Sequence, residues 1–187
     1  MSNIIRCGWC GSDPLYIKYH DEEWGKEVHD DAILFEFLIL EGAQAGLSWI
    51  TILRKRENYQ NAFANFDALK VAAFTTSNVD ELMLNAGIIR NRGKIEAAIS
   101  NAKLFLEIQK EYGSFDAYLW SFMPSKEPVI NYYLDHKLAP ATSPISDAIS
   151  KAMKKKGFKY FGSTICYAHM QATGMVNDHI LECAFRK

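Results

Sequence analysis

Glu41 is the first residue in this sequence to invite a chemical reading. Leu34, Phe37, Leu38 and Glu41 stand at i, i+3, i+4 and i+7, which puts the acid on the apolar face of the helix that the spacing predicts. A carboxylate there is costly to desolvate unless a basic neighbour pairs with it or it lines a cleft. Trp49 follows Gly46-Leu47-Ser48, and Tyr19 and Trp24 lie upstream. An acid among aromatic faces suits an electron-poor, cationic ring. The plainer alternative is a glutamate paired at a helix end, with aromatics that only fill the core.

A second set of residues has the donor types of a metal site. His179 and Cys183 are four apart, so on a helix they would project from one face, and Cys7, Cys10 and His20 lie near the other end of the chain. A tetrahedral Cys2His2 site drawing two ligands from each end would suit zinc. With no coordination position left for water, the ion would be structural and would tie the termini together. The spacing leaves open whether Cys7 or Cys10 is the ligand, or whether these are unconnected core residues. Cys7-Gly8-Trp9-Cys10 also has the form of a redox dithiol, but that motif belongs at the start of a helix, and Gly11-Ser12-Asp13-Pro14 follows here.

Between Leu82 and Ile95 a third pattern joins two expected helices through a turn bounded by Gly87 and Gly93, with Arg90, Arg92 and Lys94 around it. Glycines that let the backbone bend would leave amide N–H groups at the N-terminus of the second helix, a setting that favours phosphate. Such a hairpin would grip a nucleic-acid backbone without reading its sequence. An ordinary helical hairpin with solvated basic residues is the alternative.

The elements that must position these groups read as helical almost throughout, so the expected fold is all-α. Asp30 or Asp31 caps a helix to about Gln44, closed by Gly46, and Ser48 caps one from Trp49 to about Phe63. Asp67 and Ser77 start two short helices, the second ending at Gly87, and a long helix covers about Lys94 to Tyr112. Pro124 to Pro144 reads as a loop. Helices follow over Ser146–Lys156 and about Gly162–Thr173, with a last helical turn or two over Asp178 to about Ala184.

At 187 residues and 49% hydrophobic content the chain suits one domain with a sizeable core. Its formal net charge of −1 argues mildly against a nucleic-acid partner, but Arg54-Lys55-Arg56, the Arg90–Lys94 group and Lys154-Lys155-Lys156 are local basic clusters. The N-terminus lacks the apolar region of a signal peptide, and the uncharged stretch from Tyr160 to Asn177 holds too many polar residues for a membrane span. A cytoplasmic protein with reduced thiols, monomeric and without a membrane partner, is expected.

Taken together, Cys7-Gly8-Trp9, Asp13-Pro14-Leu15-Tyr16, Tyr19-His20-Asp21, Glu23-Trp24-Gly25, Glu41-Gly42 and Gln44-Ala45-Gly46-Leu47-Ser48-Trp49 resemble the 3-methyladenine DNA glycosylase I family. Lys55-Arg56-Glu57-Asn58-Tyr59, Ala86-Gly87-Ile88-Ile89-Arg90, Met170-Gln171-Ala172 and Val176-Asn177-Asp178-His179 extend the likeness over nearly the whole chain. The resemblance implies a helix-hairpin-helix glycosylase fold over residues 1–187, with the hairpin unit at about 78–112 and a zinc lobe from about 1–25 and 160–187. It implies one structural Zn2+ on Cys7, His20, His179 and Cys183, with Cys10 outside the set. It implies a base pocket of Tyr19, Glu41 and Trp49, with Trp9 and Trp24 close by, and Gly46 and Leu47 entering the duplex gap. The implied activity is base-excision repair: a lesion in double-stranded DNA is flipped out and free 3-methyladenine is released. Methylation at N3 makes the base cationic and a good leaving group, so Glu41 would chiefly recognise it. Many relatives carry a catalytic aspartate beyond the hairpin, but none lies between Lys94 and Phe115, the first being Asp116. With no lysine marked out as a nucleophile, no lyase step is expected. The competing readings are a non-catalytic hairpin module that only grips DNA, and a zinc hydrolase acting on a small molecule.

Overall fold

The computed structural model describes residues 4–186, so residues 1–3 and 187 of the expected domain lie outside it. Several of its helices begin where capping side chains satisfy free amides. Asp13 accepts from the Leu15 and Tyr16 amides to open α1 (Pro14–Glu22), and Asp30 accepts from Ala32 and Ile33 to open α2 (Asp31–Gln44). Helix α2 is central, with Leu34, Phe35, Phe37, Leu38 and Leu40 all essentially buried. Each such side chain contributes about 1.5–3 kcal/mol on leaving water.

The single helix expected from Trp49 to Phe63 is instead two, α3 (Trp49–Leu53) and α4 (Arg56–Ala62). At the break Lys55 adopts φ −105° and ψ 0°, its amide reaches back only to Ile52, and its ammonium donates to the Ala86 and Gly87 carbonyls at 3.0 and 3.3 Å. Arg56, next along, is held by Glu36 and Glu23, both at 2.6 Å. Long-range contacts on both basic residues thus turn the chain where local periodicity would continue it.

Asp67 opens α5 (Ala68–Ala72) as expected. Helix α6 (Thr76–Leu84) starts at a capping box of Thr75 and Asn78 rather than at Ser77, and ends before Gly87 because Asn85 is already extended. Helix α7 (Arg92–Tyr112) is the long helix of the sequence reading. Helix α8 (Phe115–Trp120) adds to the expected elements; Ser114 caps it locally, accepting from the Ala117 amide at 2.9 Å, and the Asp31 carboxylate, from a distant part of the chain, accepts from its Phe115 and Asp116 amides at 2.9 Å.

The segment 124–144 is mainly loop, but β1 (Val129–Ile130) pairs in parallel with β2 (Val176–Asn177), a two-residue exception to the all-helical expectation. Between them lie α9 (Pro144–Lys156), capped by Ser143 rather than beginning at Ser146, and α10 (Ser163–Ala172). The helical turns expected over 178–184 do not form. There the amides of Ile180, Leu181 and Ala184 point to Cys7 Sγ, Tyr133 O and Ile5 O, so they are spent on other segments and not on a helical ladder.

The main core joins α2 to α7, α8, α9 and α10. A smaller cluster gathers Cys7, Tyr19, Trp24, Phe37, Leu53, Ala172 and Cys183, and Trp49 packs against both. Among the described residues no helix is long and apolar enough to cross a membrane.

Candidate active site and metal centre

A cavity of about 310 Å3 opens where α1, α2, α3 and α10 meet. Trp9, Tyr16, Tyr19, Trp24 and Trp49 wall it, and Glu41, Gln44, Gln171 and Asp178 supply its polar edge. The rings support one another edge-on or tilted: Trp9 lies 4.9 Å from both Tyr16 and Trp24, and Tyr19 lies 5.5 Å from Trp49. The loop 124–144 closes one side with His136, Ala139 and Pro140. The indole N–H groups of Trp9 and Trp49 are buried with no acceptor among the described residues, a cost tolerated where a ligand completes the set.

Glu41 is 1% exposed, and its Oε2 lies 3.1 Å from Nδ1 of His169 on α10. Burial pushes its pKa up, and His169 opposes that shift in part. The partner foreseen as an alternative in the sequence is therefore a buried histidine 128 positions away, where a nearby basic residue was expected. Tyr16, Gln171, Asp178 and His169 had not been singled out as site residues. Tyr16 had a signal, since it stands three before Tyr19 on the same helical face. Asp178 had none, because its role depends on partners brought from elsewhere: Tyr167 Oη at 2.8 Å, Gln171 Nε2 at 2.7 Å and Asn131 Nδ2 at 2.7 Å all donate to it.

Cys7, His20, His179 and Cys183 come together, all buried, with their ligand atoms within 4.8 Å of one another, a group able to hold a metal ion. Nδ1 of His179 lies 3.5 Å from Cys7 Sγ and 3.3 Å from Cys183 Sγ, and His20 Nε2 lies 3.6 Å from Cys183 Sγ. A tetrahedral ion with metal–sulfur bonds of about 2.3 Å and metal–nitrogen bonds of about 2.0–2.1 Å has sulfur–nitrogen edges of roughly 3.6 Å. The far nitrogens are also placed: His20 Nδ1 meets Asp21 at 2.7 Å and His179 Nε2 meets the Trp24 carbonyl at 3.2 Å, which turns the other nitrogen of each ring inward. Asp21 is in turn gripped by Arg6. Burial lowers His179 to about 4, keeping it a neutral donor, and raises the Cys7 thiol to about 12, so its thiolate requires a cation beside it. Cys10 stands outside the set, its thiol donating to the Cys7 carbonyl at 3.1 Å.

The hairpin between α6 and α7 is built differently from the sequence expectation. Neither Gly87 nor Gly93 has positive φ. What they provide is room: a Cβ at Gly87 would meet Asn58 and Asn85 at 3.0 Å or less, and one at Gly93 would meet the Tyr160 hydroxyl at 2.9 Å. The Gly87 amide is taken by Asn85 Oδ1 and that of Ile89 by Tyr59 Oη. Arg90 is exposed and has no ion-pair partner among the described residues, whereas Arg92 pairs with Asp80 at 2.5 Å. Lys94 turns inward to the Ala43 and Ala45 carbonyls. Beyond α2, Gly46 takes φ +81° and presents Leu47 to solvent at 41% exposure.

A largely helical fold with a hairpin-linked helix pair and an aromatic cavity places the molecule in the helix-hairpin-helix glycosylase class. The chain belongs to the methyladenine glycosylase family, whose sequence model matches residues 9–187. It is 51% identical over 178 residues to DNA-3-methyladenine glycosylase 1 of Escherichia coli (strain K12), covering 95% of each chain. A crystal structure of 3-methyladenine DNA glycosylase I superposes with a TM-score of 0.95 at 50% identity, over 98% of this chain and 100% of that one. A structure describing 3-methyladenine recognition by the Staphylococcus aureus glycosylase I superposes at 0.93 with 35% identity, over 97% and 96% of the two chains.

Proposed function

We propose that this protein is a DNA-3-methyladenine glycosylase: it flips the methylated base out of double-stranded DNA and hydrolyses its N-glycosidic bond, releasing free 3-methyladenine. The observation that carries this reading is a buried carboxylate, Glu41, at the edge of an aromatic cavity. N3-methylation leaves the flipped base cationic. Stacking on Trp49 and Tyr19 and hydrogen bonding to Glu41 favour that cation over neutral adenine. Trp9 and Trp24 back the aromatic wall.

The charged base departs readily, so the protein's main task is to select and hold it. Asp116 does not line the cavity and bonds His29 at 2.9 Å, which supports excision without the superfamily's usual aspartate, and no lysine lines the cavity, which supports the absence of a lyase step. Glu41 thus serves recognition first. Leu47, at the exposed Gly46 turn, fills the gap left in the duplex, while Gly87, Arg90, Arg92 and Gly93 form the backbone-holding surface. Lys94 serves the same surface from within, through the α2 carbonyls it holds.

Cys7, His20, His179 and Cys183 hold one structural zinc, which supplies fold stability by joining the lobe of residues 1–25 and 160–187. Four buried protein donors leave no coordination position for water, which speaks against a zinc hydrolase. A grip-only module would have no use for a cavity with a desolvated acid. The protein acts as a single-domain, cytoplasmic monomer. Chromatography of bases released from alkylated DNA tests the proposal; no 3-methyladenine in the supernatant would overturn it.

A further inference from the structure

The imidazole of His169 is a buried polar group that the mechanism above leaves without a task. It is 1% exposed on α10, and its Nδ1 lies 3.1 Å from Glu41 Oε2. A carboxylate only accepts, so Nδ1 carries the hydrogen of this contact. Nε2 is also buried and has no hydrogen-bond partner among the described residues, and the Phe161 ring stands near it edge-on at 5.5 Å between centroids. One directed hydrogen bond is thus the only polar contact of this ring among the described residues. An apolar side chain would fill the same space without leaving a nitrogen unpaired.

Glu41 has particular need of such a donor. It lies in the last turn of α2, near the negative end of the helix dipole, and burial already disfavours its charged form. Both effects work against an anion, although an anion is what a cationic base requires. A single hydrogen-bond donor on one oxygen counters them.

We propose that His169 is a positioning residue for Glu41: its Nδ1–H holds Oε2 and orients the carboxylate so that Oε1 is presented to the flipped base. This rests on the reading of Glu41 as the base-recognising acid. It makes acid and imidazole one unit, with Glu41 touching the substrate and His169 acting only through it.

The test is single-turnover excision of 3-methyladenine from alkylated DNA by the parent, Glu41→Gln, His169→Phe, His169→Asn and the double variant Glu41→Gln/His169→Phe. Phenylalanine keeps the ring and removes the N–H, while asparagine places an amide N–H near the position of Nδ1. His169→Phe should slow excision roughly tenfold or more with unchanged DNA affinity, as expected for one lost hydrogen bond to a charged group. His169→Asn should recover most of that loss, and the double variant should be no slower than Glu41→Gln alone. If His169→Phe excises at the parental rate while Glu41→Gln does not, the inference about His169 fails and the Glu41 reading stands. If Glu41→Gln excises at the parental rate, the Glu41 reading itself fails. Should His169→Phe not fold, side-chain 15N NMR of the parent decides. A proton on Nδ1, with resonances that shift on adding 3-methyladenine, supports the inference; a proton on Nε2 alone overturns it.

Discussion

The Lys94 ammonium, on the first turn of α7, donates to the Ala45 carbonyl at 2.6 Å. It also reaches the Ala43 carbonyl at 2.8 Å, so it satisfies acceptors at the end of the helix that carries Glu41. The hairpin unit and the Gly46-Leu47 turn therefore share an anchor. The start of α7 and the end of α2 beside the pocket rim are mechanically joined.

Replacing Lys94 with Met should reduce excision about tenfold, because the α2 end loses its cap and the rim of the cavity loosens. Binding to undamaged DNA should change little. Equilibrium binding across a salt series separates the two roles, since a direct phosphate contact would lower the salt slope by about 1.

Arg90 and Arg92 should behave unequally. Arg90→Ala is expected to weaken binding to all DNA sequences alike and to flatten the salt dependence by about one counterion. Arg92→Ala should have the smaller effect, because Asp80 and Glu96 already engage its guanidinium. Equal losses would show that Arg92 leaves Asp80 when DNA arrives.

Glu41→Gln should lose activity and gain stability. Burial holds the folded-state pKa of Glu41 above the ordinary carboxylate value, so the folded protein binds this proton more tightly than the unfolded chain does. Stability at this site therefore falls as pH rises from the ordinary carboxylate range through the raised value. At neutral pH glutamine removes that penalty, and the variant should melt about 2–4 °C higher per kcal/mol relieved. Its excision rate should drop roughly 10–100-fold. Calorimetry near neutrality and again at about pH 4 should show the melting advantage shrinking in acid.

Metal removal should act on the fold before the chemistry. Chelation, or Cys183→Ala, is expected to cost about 3 kcal/mol or more, roughly 6–12 °C in a chain of this size. Protein that remains folded should still excise. Loss of turnover at an unchanged melting temperature would instead place the metal in the reaction.

Several helices with a strong local cause are legible in the sequence, although α1, opened by Asp13-Pro14 where a turn is expected, is not. Asp30 and Asp67 mark boundaries by chemistry that acts within a few residues. Elements ordered by remote partners are not. Helix α8 takes part of its cap from Asp31, the α3–α4 break follows from contacts of Lys55 and Arg56, and the tail after Asp178 spends its Ile180, Leu181 and Ala184 amides on other segments. The tail also shows that two residues four apart, His179 and Cys183, can come together with Cys7 and His20 without a helix between them.

By itself the sequence determined which groups were available: an acid on an apolar stripe, thiol and imidazole donors at both ends, and a basic turn between two helices. Those follow from side-chain type and from the helical period, which are local. Only the tertiary structure decided which groups face one another. It set His169 against Glu41, turned Lys94 inward while leaving Arg90 exposed, and brought Asn131 to Asp178. Pairings across such distances are settled by how helices pack and by the cost of leaving a buried polar group unmatched, and neither is written in any short stretch of chain.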